Sequence, residues 1–324
     1  MTAPRRGQTR RVVAWLPVTA VRRPPASTLA VLGLLAVTAA WGSTFFLLKD
    51  VVERVPVSDF LAVRFALAAA AVWLLAPRSV AALTSAERRS GVLLGVVYGA
   101  AQLLQTVGLQ HTSASVSGFV TGMYVVFTPL LGAVLLRARI GRVVWVAVAL
   151  STAGLAVLSL QGFAIGGGEA LTLASALLYG AHIVGLGLWS SSRSAIGLTV
   201  VQLLTITVVC GAAAAPGGVA LPQSGYDWFA LVYMALVAGA LALVVQTWAQ
   251  AHLAATRAAI IMTMEPVFAG LFAVLLGGER LGPRVVVGGA LVLAAMYLVE
   301  LGPRRPDEQD VAEEVGGVTH VGPV

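Results

Sequence analysis

Ten stretches of this chain run for close to twenty residues with almost no charge, and that feature constrains the fold more than any other. A hydrocarbon core about 30 Å thick is crossed by roughly 20 helical residues. The stretches are Thr28–Leu48, Ser58–Ala76, Gly91–Leu109, Ala114–Leu136, Val143–Leu160, Glu169–Trp189, Ile196–Ala215, Trp228–Gln250, Arg257–Gly277 and Val285–Leu301. Apolar residues run continuously through them rather than alternating, which favours a helical bundle over a lipid-facing barrel. The joints are short, as the run from Arg137 to Arg142 shows, and leave no room for a sizeable aqueous domain. Composition agrees: 11% of the residues are charged, where a soluble domain carries about a quarter. An ordinary soluble enzyme, a disordered chain and a disulfide scaffold are excluded. The single cysteine, Cys210, rules out an intrachain disulfide and a cysteine-rich metal site.

The net charge of +7 would suggest nucleic acid on a soluble protein, but here the arginines sit in tails and short loops, so no nucleic-acid partner is read. Their distribution sets orientation instead. With both termini placed inside, sixteen Lys and Arg fall on the inner side and four (Lys49, Arg54, Arg280, Arg284) on the outer. That asymmetry places both termini in the cytoplasm. Residues 1–27 read as a basic cytoplasmic tail lying on anionic lipid. The apolar run Val12–Val21 inside it mimics a signal peptide, but it is short and interrupted by Pro17. Residues 302–324 read as a disordered cytoplasmic tail.

The chain also repeats itself. Gln105-Thr106 followed by His111 recurs as Gln246-Thr247 followed by His252, and at the same shift Gly141 falls on Gly282. Trp41-Gly42 matches Tyr179-Gly180 at a slightly smaller shift, which also sets Arg64 opposite Gln202. Two five-span units are expected, 28–160 and 167–301. An odd number of crossings turns the second unit upside down, which suits alternating access. The fold class expected is therefore an all-α polytopic membrane protein, ten transmembrane helices arranged as two inverted five-helix repeats.

At this point the sequence resembles the EamA-type ten-helix members of the drug/metabolite transporter superfamily. Trp41-Gly42-Ser43-Thr44-Phe45 followed by Lys49, Arg64-Phe65, Gly118-Phe-Val-Thr-Gly-Met-Tyr124 leading to Pro129, Glu265-Pro266-Val267, and Gly278-Glu279-Arg280-Leu281 carry the likeness. It covers about Leu29–Leu301. Pro129 and Pro266 depart from the repeat register by four residues, so any kink is expected to differ between the halves. The resemblance implies a central cavity lined by spans 1, 3, 4, 6, 8 and 9 and movement of small organic metabolites or drugs across the cytoplasmic membrane. Export is the expected direction.

Few polar groups lie deep in the spans, where a charge costs at least about 2.5–3.5 kcal/mol unless it faces a cavity or a partner. Glu265, next to Pro266, is a candidate for proton coupling or cation binding; the plainer reading is a structural tie. His182 can gate protons or serve as a neutral interhelical bonder. Trp41, Tyr98, Tyr124 and Tyr179 fall near the midplane, where aromatics either wall a solute site or pack a core. Gln102 adds a donor and an acceptor one turn beyond Tyr98. These seven form the expected substrate site. Gln105 and Gln246 read as helix contacts. Arg64 reads as snorkelling, or as pairing with backbone or with an outer-side carboxylate such as Glu53 or Asp59, with an anionic substrate as the lesser alternative. Gly95 and Gly99, and Gly118 and Gly122, read as close-packing faces. No P-loop, HExxH or GxSxG pattern is present, so no cofactor is expected and the expected motive force is a solute or ion gradient, with protons as one candidate. A membrane-embedded enzyme, a lipid-handling protein or a channel is the alternative reading.

Overall fold

The computed structural model describes residues 26–135, 141–161 and 164–301. The expected N-terminal tail up to residue 25, the C-terminal tail, and Arg137 and Arg139 lie outside the described residues. Within them run α1 (Ala26–Val51), α2 (Val57–Leu75), α3 (Ser85–Gln110), α4 (Ala114–Thr121), α5 (Tyr124–Leu135) and α6 (Arg142–Ser159). The second half holds α7 (Gly167–Trp189), α8 (Ala195–Ala214), α9 (Gly225–Ala235), α10 (Ala242–Gln250), α11 (Ala255–Ile261), α12 (Met264–Leu275) and α13 (Pro283–Leu301). Between the halves, β1 (Leu160–Gln161) and β2 (Ala164–Ile165) form a minimal antiparallel pair.

α4 and α5 follow one another across Gly122 and Met123, α11 and α12 across Met262 and Thr263, and α9 and α10 across a π-helical stretch, Leu236–Leu241. Joined so, the described helices make ten segments. Eight are long and apolar enough to cross a membrane, while α6 and α13 hold shorter apolar stretches, Trp145–Gly154 and Pro283–Ala295. By that measure the count is eight, against the ten stretches the sequence suggests.

The distribution of side chains is that of a multi-pass membrane protein. Trp73, Leu75, Val134, Trp145, Val208 and Phe229 are exposed on the perimeter. Arg64, Gln102, Gln202, Gln246 and Glu265 are buried within the bundle. Helices suit lipid because they satisfy their own backbone, and their ends are finished by local chemistry. Thr84 and Glu87 form a capping box at the start of α3. Ser113 caps α4 and Ser224 caps α9.

Two helix breaks correspond between the halves, since Gly122–Met123 and Met262–Thr263 lie 140 residues apart by their numbers. Pro266 sits in the first turn of α12 and has no N–H to offer Met262 O four residues back, so it marks the second break, whereas Pro129 lies inside α5, beyond the first.

Packing follows the repeat as well. α1 packs on α12 and α10, α7 on α5, α4 and α3, α2 on α8, and α6 on α13. Gly42 of α1 lies against Phe268 and Ala269, and Gly180 of α7 against Phe127 and Thr128, which are matching places at the two repeat shifts. α2 and α8 run antiparallel: Asp59 at the start of α2 accepts from Ala220 N at 2.9 Å, while Gly197 at the start of α8 abuts Ser79 beyond the end of α2. Gly91, Gly95 and Gly99 bring α3 against Val201, Thr205 and Val209 of α8. In lipid no hydrophobic drive joins helices, so such small-residue faces decide where backbones approach.

The end of the bundle where α1 finishes is tied by charge. Arg54 donates to Asp227 Oδ1 at 2.6 Å and to Asp50 Oδ2 at 3.2 Å, and the Asp227 bond chiefly holds its guanidinium above the usual arginine range. Lys49 Nζ caps the end of α3 at Leu109 O and Gln110 O. Glu279, in the second half, accepts from Ala114 N at 2.7 Å and from Ser115 N at 3.3 Å, an N-cap supplied from across the molecule. Glu279→Ala is expected to lower stability by about 0.5–2 kcal/mol, the usual worth of an N-cap. Thermal melting in detergent measures it, and an unchanged midpoint would show that the cap contributes nothing.

Candidate functional site

A small cavity lies where the two halves meet. Trp41 reaches it from α1, Arg64 from α2, Tyr98, Gln102 and Gln105 from α3, and Thr121 and Tyr124 from either side of the first helix break. Tyr179 and His182 come from α7, Gln246 from α10, Met262 from the second break itself and Glu265 from the start of α12. All seven residues singled out as a substrate site (Trp41, Tyr98, Gln102, Tyr124, Tyr179, His182 and Glu265) therefore line one space. Its volume is about 40 Å³, room for a few waters and not for an organic solute.

The aromatic wall is built around Tyr98. Its ring meets Tyr179 edge-on at 5.3 Å, His182 at 4.9 Å and Phe65 at 6.3 Å between centroids. Trp41 Nε1 donates to Ala238 O at 2.8 Å, inside the π stretch. A π turn displaces the ordinary backbone ladder, so a carbonyl there is open to a side-chain donor. Met234 O, at the entrance to the same stretch, accepts from Arg64 Nε at 3.2 Å.

A chain of hydrogen bonds crosses the cavity in one sense. Arg64 Nη1 donates to Gln102 Oε1 at 3.4 Å, Gln102 Nε2 to Tyr179 Oη at 2.6 Å, Tyr179 Oη to Gln105 Oε1 at 2.9 Å, and Gln105 Nε2 to Thr121 Oγ1 at 3.0 Å. Each donor is polarised by the one before it, beginning from a cation. Opposite stands Glu265, 5% exposed. Tyr124 Oη lies 3.0 Å from Glu265 Oε2 and 2.6 Å from Met262 O, the carbonyl at the second helix break. His182 Nε2 pairs with Gln202 Oε1 at 2.8 Å.

Repeat-related groups meet here. Gln105 bonds Thr121 sixteen residues on, and Gln246 reaches Met262 Sδ at the same separation. Both pairs are related by the shift of 141 that separates Tyr124 from Glu265.

Gln105, Gln246 and Arg64, outside the expected seven, also reach the cavity. Gln105 and Gln246 make the helix contacts expected of them, to Thr121 and Met262, and in addition face the cavity. Arg64 bonds backbone, one of the partners expected of it, but it turns inward rather than outward, while Asp59 is engaged by Ser58 Oγ and Ala220 N. The physical reason is the π stretch, which offers Met234 O to the guanidinium, together with the Gln102 carbonyl. His111 and His252 stand at helix ends away from the cavity, His252 bonding Trp248 O and Ser192 Oγ. Among the described residues no group of three or more His, Cys, Asp or Glu is arranged to hold a metal ion.

Above the cavity, at the end where α1 finishes, a wider vestibule of about 370 Å³ opens among Phe46, Lys49, Asp50, Glu53, Tyr226 and Glu279.

Comparison with known proteins places this geometry. The model of the EamA-like transporter family matches the chain twice, over residues 28–160 and 166–301. An uncharacterized transporter of Archaeoglobus fulgidus is 30% identical over 271 residues, which are 83% of this chain and 85% of that one. A solved crystal structure shares the fold with a TM-score of 0.63 at 18% identity, over 85% of this chain and 97% of the other.

Proposed function

The chain belongs to the EamA-like transporter family and is a membrane transporter, and from that premise we propose that it is a secondary carrier exporting small organic solutes across the cytoplasmic membrane by alternating access. In this reading ten helices cross the bilayer with both termini in the cytoplasm. The two five-helix units, 28–160 and 167–301, are inverted with respect to one another. The antiparallel course of α2 and α8, second helices of their respective halves, supports the inversion.

The observation that carries the proposal is the cavity at the junction of the halves. It draws on both helix breaks and on repeat-related polar pairs, and it is too small to hold a solute. A space of that size must be enlarged by movement of one half against the other before anything organic enters, and inverted repeats supply two ways of doing so. The vestibule on the side of Lys49 and Arg54, the outer side by charge asymmetry, is then the exit path. The seven lining residues form the solute site, with Glu265 as the group that exchanges a proton with the cavity.

Of the carboxylates at that end, Asp50 and Asp227 hold Arg54, Glu279 holds the start of α4 and Glu169 accepts from Thr112. With most of the acidic groups there tied to structure, the carrier is favoured over an enzyme acting at that face. In liposomes, the purified protein is expected to move a small organic solute with a rate that saturates as concentration rises. Strictly linear flux for every solute in a metabolite panel would overturn the proposal and favour a channel.

A further inference from the structure

One group in the cavity is left without an electrostatic account. Arg64 is 3% exposed and borders the cavity. An arginine stays charged in a protein and carries five N–H donors. The bonds to Met234 O and Gln102 Oε1 use one each, and both acceptors are neutral. Phe65 lies beneath the guanidinium at 4.9 Å from its ring centroid. Among the described residues the ion pairs are those of Arg54, and none involves Arg64. A cation held inside the bilayer by neutral groups alone is costly, and such groups mark the path of a charged ligand.

The fork of a guanidinium matches a carboxylate, which it binds through two parallel bonds. The rest of the lining limits the charge that can be accepted. Arg64 is the cavity's one permanent cation among the described residues, and Glu265 lies in the same space. A dianionic phosphate would exceed the one positive charge even with Glu265 protonated, whereas a single carboxylate is matched by Arg64 when Glu265 carries its proton. The aromatic faces of Tyr98, Tyr179 and Trp41 then suit an apolar or aromatic body. We propose that Arg64 is the anchor for the solute's anionic end, so that this carrier takes small organic solutes bearing one free carboxylate. The proposal rests on the carrier reading and narrows its substrate class.

Binding to the purified full chain in detergent, read by tryptophan fluorescence, tests it with three matched probes: phenylacetate, phenylacetamide and phenethylamine. Phenylacetate is expected to bind at least about tenfold more tightly than the amide, the worth of a charged hydrogen bond. Arg64→Gln is expected to bring the two within about twofold, since no permanent cation then remains to favour the acid. Arg64→Lys keeps the charge but not the fork; it is expected to retain a reduced preference, and it carries the test if Arg64→Gln does not fold. A purely structural Arg64 would leave the acid-to-amide ratio unmoved. Equal binding of acid and amide by the unaltered protein, tighter binding of the amine, or no binding of the acid would overturn the proposal. Detergent binding needs no translocation. A carboxylate preference without saturable flux therefore counts against the carrier reading alone, and saturable flux of solutes without such a preference counts against this inference alone.

Discussion

Gly42→Val is expected to be among the most damaging single substitutions in the bundle, because it places side-chain atoms where two helices already touch. A Cβ added at Gly42 would lie 2.5 Å from Phe268 Cβ, 2.8 Å from Ala269 N and 3.0 Å from Glu265 O. Two of these are backbone atoms of α12, which cannot turn aside as a side chain can. The helices must separate, and α12 carries Glu265 and Pro266 while Gly42 adjoins Trp41. Overpacking of this kind costs about 1–3 kcal/mol, and a clash with backbone belongs at the upper end. Loss of transport should accompany the loss of stability, since the displaced helix holds one wall of the cavity. The repeat partner ranks lower: a Cβ at Gly180 would meet Phe127 Cβ at 3.0 Å and Thr128 N at 3.3 Å. Gly132 and Gly211 have no atom within 4 Å of an added Cβ, so alanine there is expected to be neutral or stabilising by up to about 1 kcal/mol through helix propensity. Melting in detergent for Gly42→Val, Gly180→Ala, Gly132→Ala and Gly211→Ala gives the order. A Gly42→Val protein that melts with the parent would mean that α1 and α12 are not in contact.

The sequence exposes depth along a membrane helix far better than direction around it. Where a span begins and ends is written in charge: Lys49, Arg78 and Arg142 mark ends because they cannot lie in hydrocarbon. Polar residues also stand out singly against an apolar background, which is why Gln105 and Gln246 reveal the repeat. Direction is another matter. A helix with lipid on one side and protein on the other is apolar all round, so the amphipathic stripe of a soluble helix is missing. Arg64 shows the consequence. Its distance from the end of the span suggests a reach outward, while its orientation is decided by Met234 O and Gln102, on two other helices. The π stretch that presents Met234 O is Leu-Val-Ala-Gly-Ala-Leu, with no proline and no polar residue to announce it. The helix break at Gly122 is equally silent, since Pro129 lies well beyond it inside α5, whereas Pro266 stands in the first turn after Met262. Backbone irregularity in an apolar helix is paid for by tertiary contacts, and a hydropathy profile does not record those.

Glu265→Gln is expected to remove the pH dependence of transport and to slow it by about tenfold or more, the scale of one charged hydrogen bond. Geometry gives the reason. Tyr124 has one hydroxyl proton and two acceptors, Met262 O at 2.6 Å and Glu265 Oε2 at 3.0 Å. When Glu265 is protonated, its own O–H can donate to Tyr124 Oη, and the tyrosine proton stays on Met262 O. When Glu265 is ionised, the tyrosine must turn its proton to the carboxylate, and Met262 O keeps only Glu265 N at 3.0 Å. Met262 stands at the break between α11 and α12, so the proton count at Glu265 reaches the backbone that must flex if the halves move. Tyr98, Tyr179, His182 and Arg64 share the cavity and set the field in which this exchange occurs. Glutamine fixes the first arrangement, since its amide donates to Tyr124 at every pH. Tyr124→Phe breaks the link from the other side: the carboxyl still titrates, but Met262 O no longer responds to it. Transport by the parent is expected to vary between about pH 5 and 8, the range over which a coupling group must change charge to act under physiological gradients. Glu265→Gln should be flat across that range, and Tyr124→Phe should keep a weakened dependence. Initial rates in liposomes at matched internal and external pH make the measurement. If the Glu265→Gln and parent rates coincide throughout, Glu265 has no part in coupling and serves only to join α12 to Tyr124.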